Sequence, residues 1–253
     1  MCLLSLLLKP PMVLAPPRQS CVFTVPVHLL EDYGQWLAQC LDQNQGGHVV
    51  TLNSEMVMLA EKEPKVHQII SQAELVVPDG AGVTLYLKLE GIDQRRCPGI
   101  ELAEQLIIDN AQEENPRLIA FYGGAPGVAE RAAQRWRGEC PHLNILVNHG
   151  FLSPEEQELW LQTLKEKQPP LIFVGLGVPR QEYWIAENRH LCPQSWWIGV
   201  GGSFDVWSGA KERAPQWFCE NNLEWLYRLY QEPWRWRRML ALPHFLWRTV
   251  TAR

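Results

Sequence analysis

The sequence predicts an α/β protein: a mostly parallel, Rossmann-like sheet with helices on both faces, followed by a helical C-terminal appendage rich in Trp and Arg. Three observations predict it. Short apolar β-like runs alternate with helical stretches, the pattern of a parallel sheet covered on both sides. Each of six such runs ends in glycine or a short polar residue, as strand ends do where ligands bind an open sheet. After residue 210 the chain changes character: six of the twelve tryptophans fall after residue 200, and residues 211–253 hold eight Lys/Arg against four Asp/Glu. The division that follows is a loose extension over residues 1–20, an α/β core over 21–209 and an appendage over 210–253.

Taken in order, Cys21–Val27 reads as a short first strand and Leu30–Gln43 as an amphipathic helix. The six runs of the sheet are His48–Asn53, Glu74–Val77, Leu118–Tyr122, Asn144–Val147, Leu171–Val174 and Trp196–Val200. Helical stretches are expected at Ser54–Ser71, Ile100–Gln112, Gly127–Gly138, Pro154–Gln168 and Arg180–Leu191. In the tail, Leu223, Leu226, Tyr227 and Tyr230 recur at helical spacing, which predicts one helix over Pro215–Tyr230. Pro233 interrupts it, and a cationic aromatic stretch follows with Trp234, Trp236, Met239, Leu240, Phe245 and Trp247.

The bulk numbers exclude some functions. A net charge of −5 over 253 residues argues against a general nucleic-acid binder. Seven scattered cysteines without a C-x-x-C pair suit a reducing compartment and no structural zinc. The apolar run near the N-terminus is too short to span a bilayer and lacks a basic flank before it. The basic, Trp-rich tail suits a membrane interface, with rings at headgroup depth and guanidiniums on lipid phosphates. A helix docked on the body by its aromatic side is the other reading.

The strand ends carry the chemistry. Leu171–Val174 runs into Gly175-Leu-Gly177, and Pro179 then opens a helix with Arg180, Gln181 and Glu182 in its first turn. A strand, a glycine turn and a helix N-terminus make an anion site. Gly123 and Gly124, and Gly201 and Gly202 with Phe204 and Asp205, end two more strands. Such a crevice suits a nucleotide diphosphate held mainly by backbone N–H groups. Asp79, between Pro78 and Gly80, follows an apolar strand directly: partial desolvation would raise its pKa and suit a general base. Capping the next helix is the alternative. Thr51 and Asn53 bind a sugar or phosphate, or cap the helix after them. Asp205 accepts from a ribose or a base. Among the histidines only His149 sits at a strand end. No Asp-x-Asp pair occurs for a divalent-cation clamp. No G-x-S-x-G, G-x-G-x-x-G or Walker pattern occurs either, which weighs against hydrolase, dehydrogenase and ATPase readings.

The runs TLNSEM, VVPDGAGV, CPGIEL, FYGGAPGVAERAA, VGLGVPRQEYWI, GVGGSFDVWSGAKERAP and LEWLYRLYQEPWRWRR resemble, in order, the WecG/TagA/CpsF family of bacterial glycosyltransferases. The resemblance covers about residues 22–248. It implies an inverting, metal-independent enzyme, peripheral on the cytoplasmic face of the cell membrane. Such an enzyme moves a sugar, N-acetylmannosamine or a relative, from UDP to a polyprenyl-diphosphate-linked sugar for cell-surface polymers. It implies Asp79 as base, with Gly80 beside it, and Thr51, Asn53 and Gln181 on the donor sugar or acceptor. Its arginine before Pro-Gly, a binding residue, matches Arg96, with Arg95 adjacent and the choice open. Arg228, Arg235, Arg237 and Arg238 match its arginine-rich appendage in type. One departure is His149-Gly150-Phe151-Leu152, where a glycine-aromatic pair is expected before the helix at Ser153; Phe151 keeps the aromatic. The alternative is a non-catalytic subunit that binds a nucleotide or lipid diphosphate; a nicotinamide-dependent oxidoreductase is weaker. A homo-oligomer is left open.

Overall fold

A computed structural model describes residues 15–236 and 240–251, with the side chain of Arg235 left aside. The expectations placed on Arg237 and Arg238, on the Arg235 side chain and on residues 1–14 lie outside the described residues. The fold is α/β as predicted. Six parallel strands, β3 (Gly47–Leu52), β4 (Leu75–Pro78), β5 (Ile119–Gly123), β6 (Ile145–Asn148), β7 (Leu171–Gly175) and β8 (Trp196–Gly199), lie in the order β4-β3-β8-β7-β5-β6. All six runs are strands where expected.

Side chains alternate across these strands, so each face has its own core. Val49, Phe121, Phe173 and Ile198 point to one face, under α1 (Tyr33–Asp42), α5 (Gly99–Ala111), α6 (Val128–Glu139) and α9 (Ser203–Trp207). On the other face Val50, Leu52 and Val76 meet α2 (Ser54–Ala60), α3 (Pro64–Ser71) and α4 (Ala81–Leu89). Beside them Tyr122, Ile172, Val174 and Trp197 meet α7 (Pro154–Lys167) and α8 (Arg180–Asn188). Helix α7 starts in a full capping box, with Ser153 and Glu156 each satisfying the other's backbone N–H.

Four local expectations change. The stretch Cys21–Val27 is a hairpin rather than one strand: β1 (Arg18–Val22) and β2 (Val25–Leu29) pair antiparallel around Phe23, whose φ is 53°. The hairpin guards edge strand β4, because His28 Nδ1 accepts from Val76 N at 2.8 Å. The boundary at residue 20 therefore falls inside β1. The single helix over Ser54–Ser71 is two. The N–H groups of Lys62 and Glu63 both turn back to Leu59 O, and Pro64 starts α3 at its first turn, where a missing N–H costs nothing. Helix α4 was not expected; Val83 and Leu87, four apart and buried, were its signal. In the tail, Asn222 (φ 59°) divides the predicted helix into α10 (Gln216–Glu220) and α11 (Glu224–Gln231).

The last described helix, α12 (Ala241–Thr251), is built into the core. Phe245 is fully buried against Phe23 and Tyr86, with ring centroids 5.3 and 6.4 Å away. Arg248 pairs with Glu61 and lies over the Phe23 ring. Phe245 thus belongs to packing, while Trp247 on the same helix is exposed.

Candidate active site

All six strands point the same way, so their C-terminal ends share one edge. The loops there are stitched together by backbone. Asp79 N and Gly80 N both donate to Leu52 O, at 3.0 and 3.1 Å. Gly124 N donates to Gly175 O, Gly150 N to Gly124 O and Val200 N to Val174 O. At the middle, Thr51 Oγ1 donates to Gly199 O at 3.2 Å and joins β3 to β8. The edge is a rigid rim with the polar side chains set on it.

Asp79 stands on that rim directly after edge strand β4. It does not cap α4, whose N-cap is Gly80. Instead its Oδ1 accepts from Gly99 N, at the start of α5, at 3.3 Å. Removal from water pushes its carboxyl up from 3.8 to about 6. The positive charges of Arg228 and Arg96 pull the other way, in that order, and desolvation outweighs them. A carboxyl near 6 is largely ionised at neutral pH yet still basic enough to take a proton. The same burial, with Asp79 itself second, pushes Cys97 up to about 12, so its thiol stays protonated beside the site.

The arginine facing Asp79 is Arg96 and not Arg95: Arg95 is exposed, while Arg96 is half-buried and pairs with Glu224 at 3.2 Å. Glu224 and Arg228 lie four apart and so share one side of α11. This helix therefore closes over Asp79 with a polar face. Its other side leaves Trp225, Leu226 and Tyr230 exposed. Below α11, Lys211 Nζ donates to Asp205 Oδ2 at 2.8 Å and to Glu232 Oε1 at 3.0 Å. Asp205 is thus tied to the appendage. Gly202, Val206, Lys211, Glu224 and Arg228 line one pocket. A cleft of about 600 Å³ beside it is lined by Arg96, Pro98, Arg213 and Gln216, a size typical of small-ligand sites.

The remaining predicted residues divide by what they touch. Thr51 is buried, and its methyl lies where a Cβ on Gly99 would sit, 2.7 Å away. It supports the Gly99 turn that holds Asp79. Asn53 caps α2 through Oδ1, which accepts from Met56 N at 3.1 Å. Gly80 is pressed against Asn53, where a Cβ would come within 2.9 Å. Gly123 and Gly175 are packing glycines. A Cβ on Gly123 would meet Gly175 O at 2.4 Å, and one on Gly175 would meet the Phe204 ring at 2.6 Å. Gly177 (φ 74°) and Gly201 (φ 53°) face open space and are needed for their left-handed turns, as is Gly124 (φ 70°). A Cβ on Gly202 would meet Asp205 Oδ2 at 3.6 Å.

Two expectations of direct ligand contact meet buried side chains. Phe204 is sealed in the core, 5.0 Å from the Phe121 ring, and serves the site by packing under Gly175. Gln181 is 1 % exposed: its Oε1 accepts from Gly201 N at 3.0 Å and its Nε2 donates to Glu182 Oε1 at 2.9 Å. The turn after β7 hides Gln181 because α8 lays its first residues back against β8. Sequence reasoning did not find Glu224 and Lys211. Glu224 had a usable signal in its spacing from Arg228; Lys211 had none, since its partners are brought together only by the tail's return. Among the described residues no group of three or more His, Cys, Asp or Glu is placed to hold a metal ion. No helix among them is long and apolar enough to cross a membrane.

Comparison with known proteins follows the same order of residues. The model of the Glycosyl transferase WecG/TagA/CpsF family matches residues 20–253. Three similar proteins share one name, N-acetylglucosaminyldiphosphoundecaprenol N-acetyl-beta-D-mannosaminyltransferase. The protein of Bacillus spizizenii (strain ATCC 23059 / NRRL B-14472 / W23) is 38% identical over 208 residues, 81% of this chain and 79% of that one. That of Bacillus subtilis (strain 168) is 34% identical over 207 residues, with the same two shares. That of Staphylococcus aureus (strain MW2) is 32% identical over 206 residues, 81% of this chain and 80% of that one. The parallel sheet, the rim that carries Asp79 and the match over nearly the whole chain agree: this chain belongs to the WecG/TagA/CpsF family of glycosyl transferases.

Proposed function

We propose that this chain is an inverting glycosyltransferase that moves N-acetylmannosamine from a UDP-sugar to N-acetylglucosamine carried on a polyprenyl diphosphate. The acceptor and the β product follow the relatives' name. The observation that carries the chemistry is Asp79, a carboxyl raised to about 6 on a rigid rim, with Arg96 and Arg228 beside it. Asp79 takes the proton of the acceptor hydroxyl as that oxygen attacks the anomeric carbon. The carbon–oxygen bond to UDP breaks on the opposite face, which inverts the α-linked donor. Arg96, Arg228 and further tail arginines carry the charge on the departing diphosphate, the role a metal ion plays elsewhere. Asn53 supplies its amide nitrogen to the sugars, and the glycine turns at 124, 177 and 202 let the nucleotide approach the backbone.

The appendage joins this site to the lipid. Trp217, Trp225, Tyr230, Trp234, Trp236 and Trp247 are exposed around α10, α11 and α12, more aromatic surface than a soluble face needs. They rest at the headgroup level of the cytoplasmic leaflet, with α11 presenting Arg228 to the site from its other side. A diphosphate head then reaches Asp79 while its chain stays in the bilayer. A UDP-release assay over a panel of UDP-sugars, with a short-chain lipid-linked N-acetylglucosamine acceptor, tests the reading. Acceptor-dependent release with the N-acetylmannosamine donor and a β-linked product is expected. Tight UDP binding without turnover across the panel would instead favour a non-catalytic binding subunit.

A further inference from the structure

His48 and Glu182 form a buried contact of two ionisable side chains that the chemistry above does not use. Both are essentially without solvent exposure, and His48 Nε2 lies 2.9 Å from Glu182 Oε2, out of line for an ideal hydrogen bond. Ionisable side chains inside a sheet–helix interface are costly to bury unless pairing and hydrogen bonds offset the lost hydration. From Glu182 the side chains lead on through a polar and directed link. Glu182 Oε1 accepts from Gln181 Nε2 at 2.9 Å, and Gln181 Oε1 accepts from Gly201 N at 3.0 Å. Because the carboxylate can only accept, it dictates which end of the Gln181 amide faces it. The amide oxygen is thereby left for Gly201.

Space for this arrangement is reserved in the backbone. A Cβ on Gly199 would stand 2.4 Å from Gln181 Nε2 and 3.1 Å from Glu182 Oε1. The same turn is held from its other side, where Gly199 O accepts from Thr51 Oγ1. The turn 199–202 is therefore anchored at both ends, and Gly202 at its tip lines the pocket with Arg228 and Lys211.

We propose that Glu182 and His48 are positioning residues, which orient the Gln181 amide and through it hold the turn 199–202 that forms the donor wall of the crevice. His48 keeps Glu182 from swinging away, Glu182 sets the amide, and the amide sets Gly201. The inference rests on the transferase reading only for what the wall binds; the anchoring itself is independent of it.

The test compares full-length wild type, Glu182→Gln, Glu182→Met and the double variant His48→Leu with Glu182→Met. Apolar replacements of similar volume for a buried charged pair are often neutral for stability, so the melting temperature of the double variant should hold. Its UDP dissociation constant should rise about 10-fold, and exchange of the Gly201 amide should quicken about 10-fold, the effect of one lost hydrogen bond. Glu182→Gln keeps a carbonyl acceptor for Gln181 and should bind UDP within about 2-fold of wild type. A double variant with wild-type UDP affinity and wild-type Gly201 protection overturns the proposal. So does a Glu182→Gln variant as impaired as the single Glu182→Met, the comparison that decides if the double variant does not fold. Failure of wild type to bind UDP would sink the transferase reading instead, while Gly201 exchange still reports on the anchoring.

Discussion

Replacing Asp79 by Asn should make the protein more stable and much less active. Raising a carboxyl from 3.8 to about 6, at ~1.4 kcal/mol per unit, means that the ionised side chain costs the fold about 2–3 kcal/mol. The sign follows from linkage. The folded state holds the proton more tightly than the unfolded chain, so no penalty exists below about pH 4. It grows between about 4 and 6 and is complete above that. Asn carries no charge at any pH, and its Oδ1 can still accept from Gly99 N. At pH 8 the variant should therefore gain about 2 kcal/mol, or ~4–8 °C in melting temperature for a chain of this size. At pH 4 the gain should vanish. Calorimetry of both proteins across this range, in one buffer series, makes the measurement. A variant less stable than wild type at pH 8, or a difference independent of pH, would refute the reasoning that desolvation dominates at Asp79.

Three further outcomes follow from the same geometry. The pH profile of kcat/KM should fall tenfold per unit below about 6, and Arg228→Ala, by removing the largest charge that favours ionised Asp79, should move that limb to higher pH; an unmoved limb would detach Arg228 from the site. Phe245→Ala should destabilise the protein by about 3–5 kcal/mol through the cavity it leaves between Phe23 and Tyr86; urea unfolding reads this, and a loss below about 1 kcal/mol would mean α12 is not part of the core. Replacing Trp225, Tyr230 and Trp234 together by Ser should weaken binding to vesicles containing anionic lipid about 10-fold or more while leaving UDP affinity unchanged, and equal vesicle binding would defeat the membrane role of the appendage.

The sheet was legible because its signals are local: each strand is a short apolar run closed by glycine or a polar residue, and all six were found. Asp79 was legible for a related reason, since Pro78 and Gly80 fix a carboxylate at the end of a buried strand. What escaped depended on contacts distant in sequence. Gln181 looked like a ligand contact because polar residues at a helix start usually face outward. Its burial depends on its neighbour Glu182, on Gly201 in the turn after β8 and, through Glu182, on His48 in β3. Phe204 looked like a site residue from its glycine neighbours, yet Gly175 is there to let its ring pack. The division of the tail followed the same rule: Trp247 and Phe245 are two residues apart on one helix, and only the docked position of α12 decides which is core and which is surface. Pro64 and Asn222 were readable breaks that hydrophobic period alone overran.

The most direct test of the central claim is transfer of labelled N-acetylmannosamine from its UDP donor to the lipid-linked acceptor, by wild type and by Asp79→Asn, with UDP affinity measured on the same samples. The account predicts transfer by wild type, a loss of ~10²–10⁴-fold in the variant, and UDP affinity within a few-fold. Full activity in Asp79→Asn, or a loss matched by an equal loss of UDP binding, would contradict Asp79 as the base.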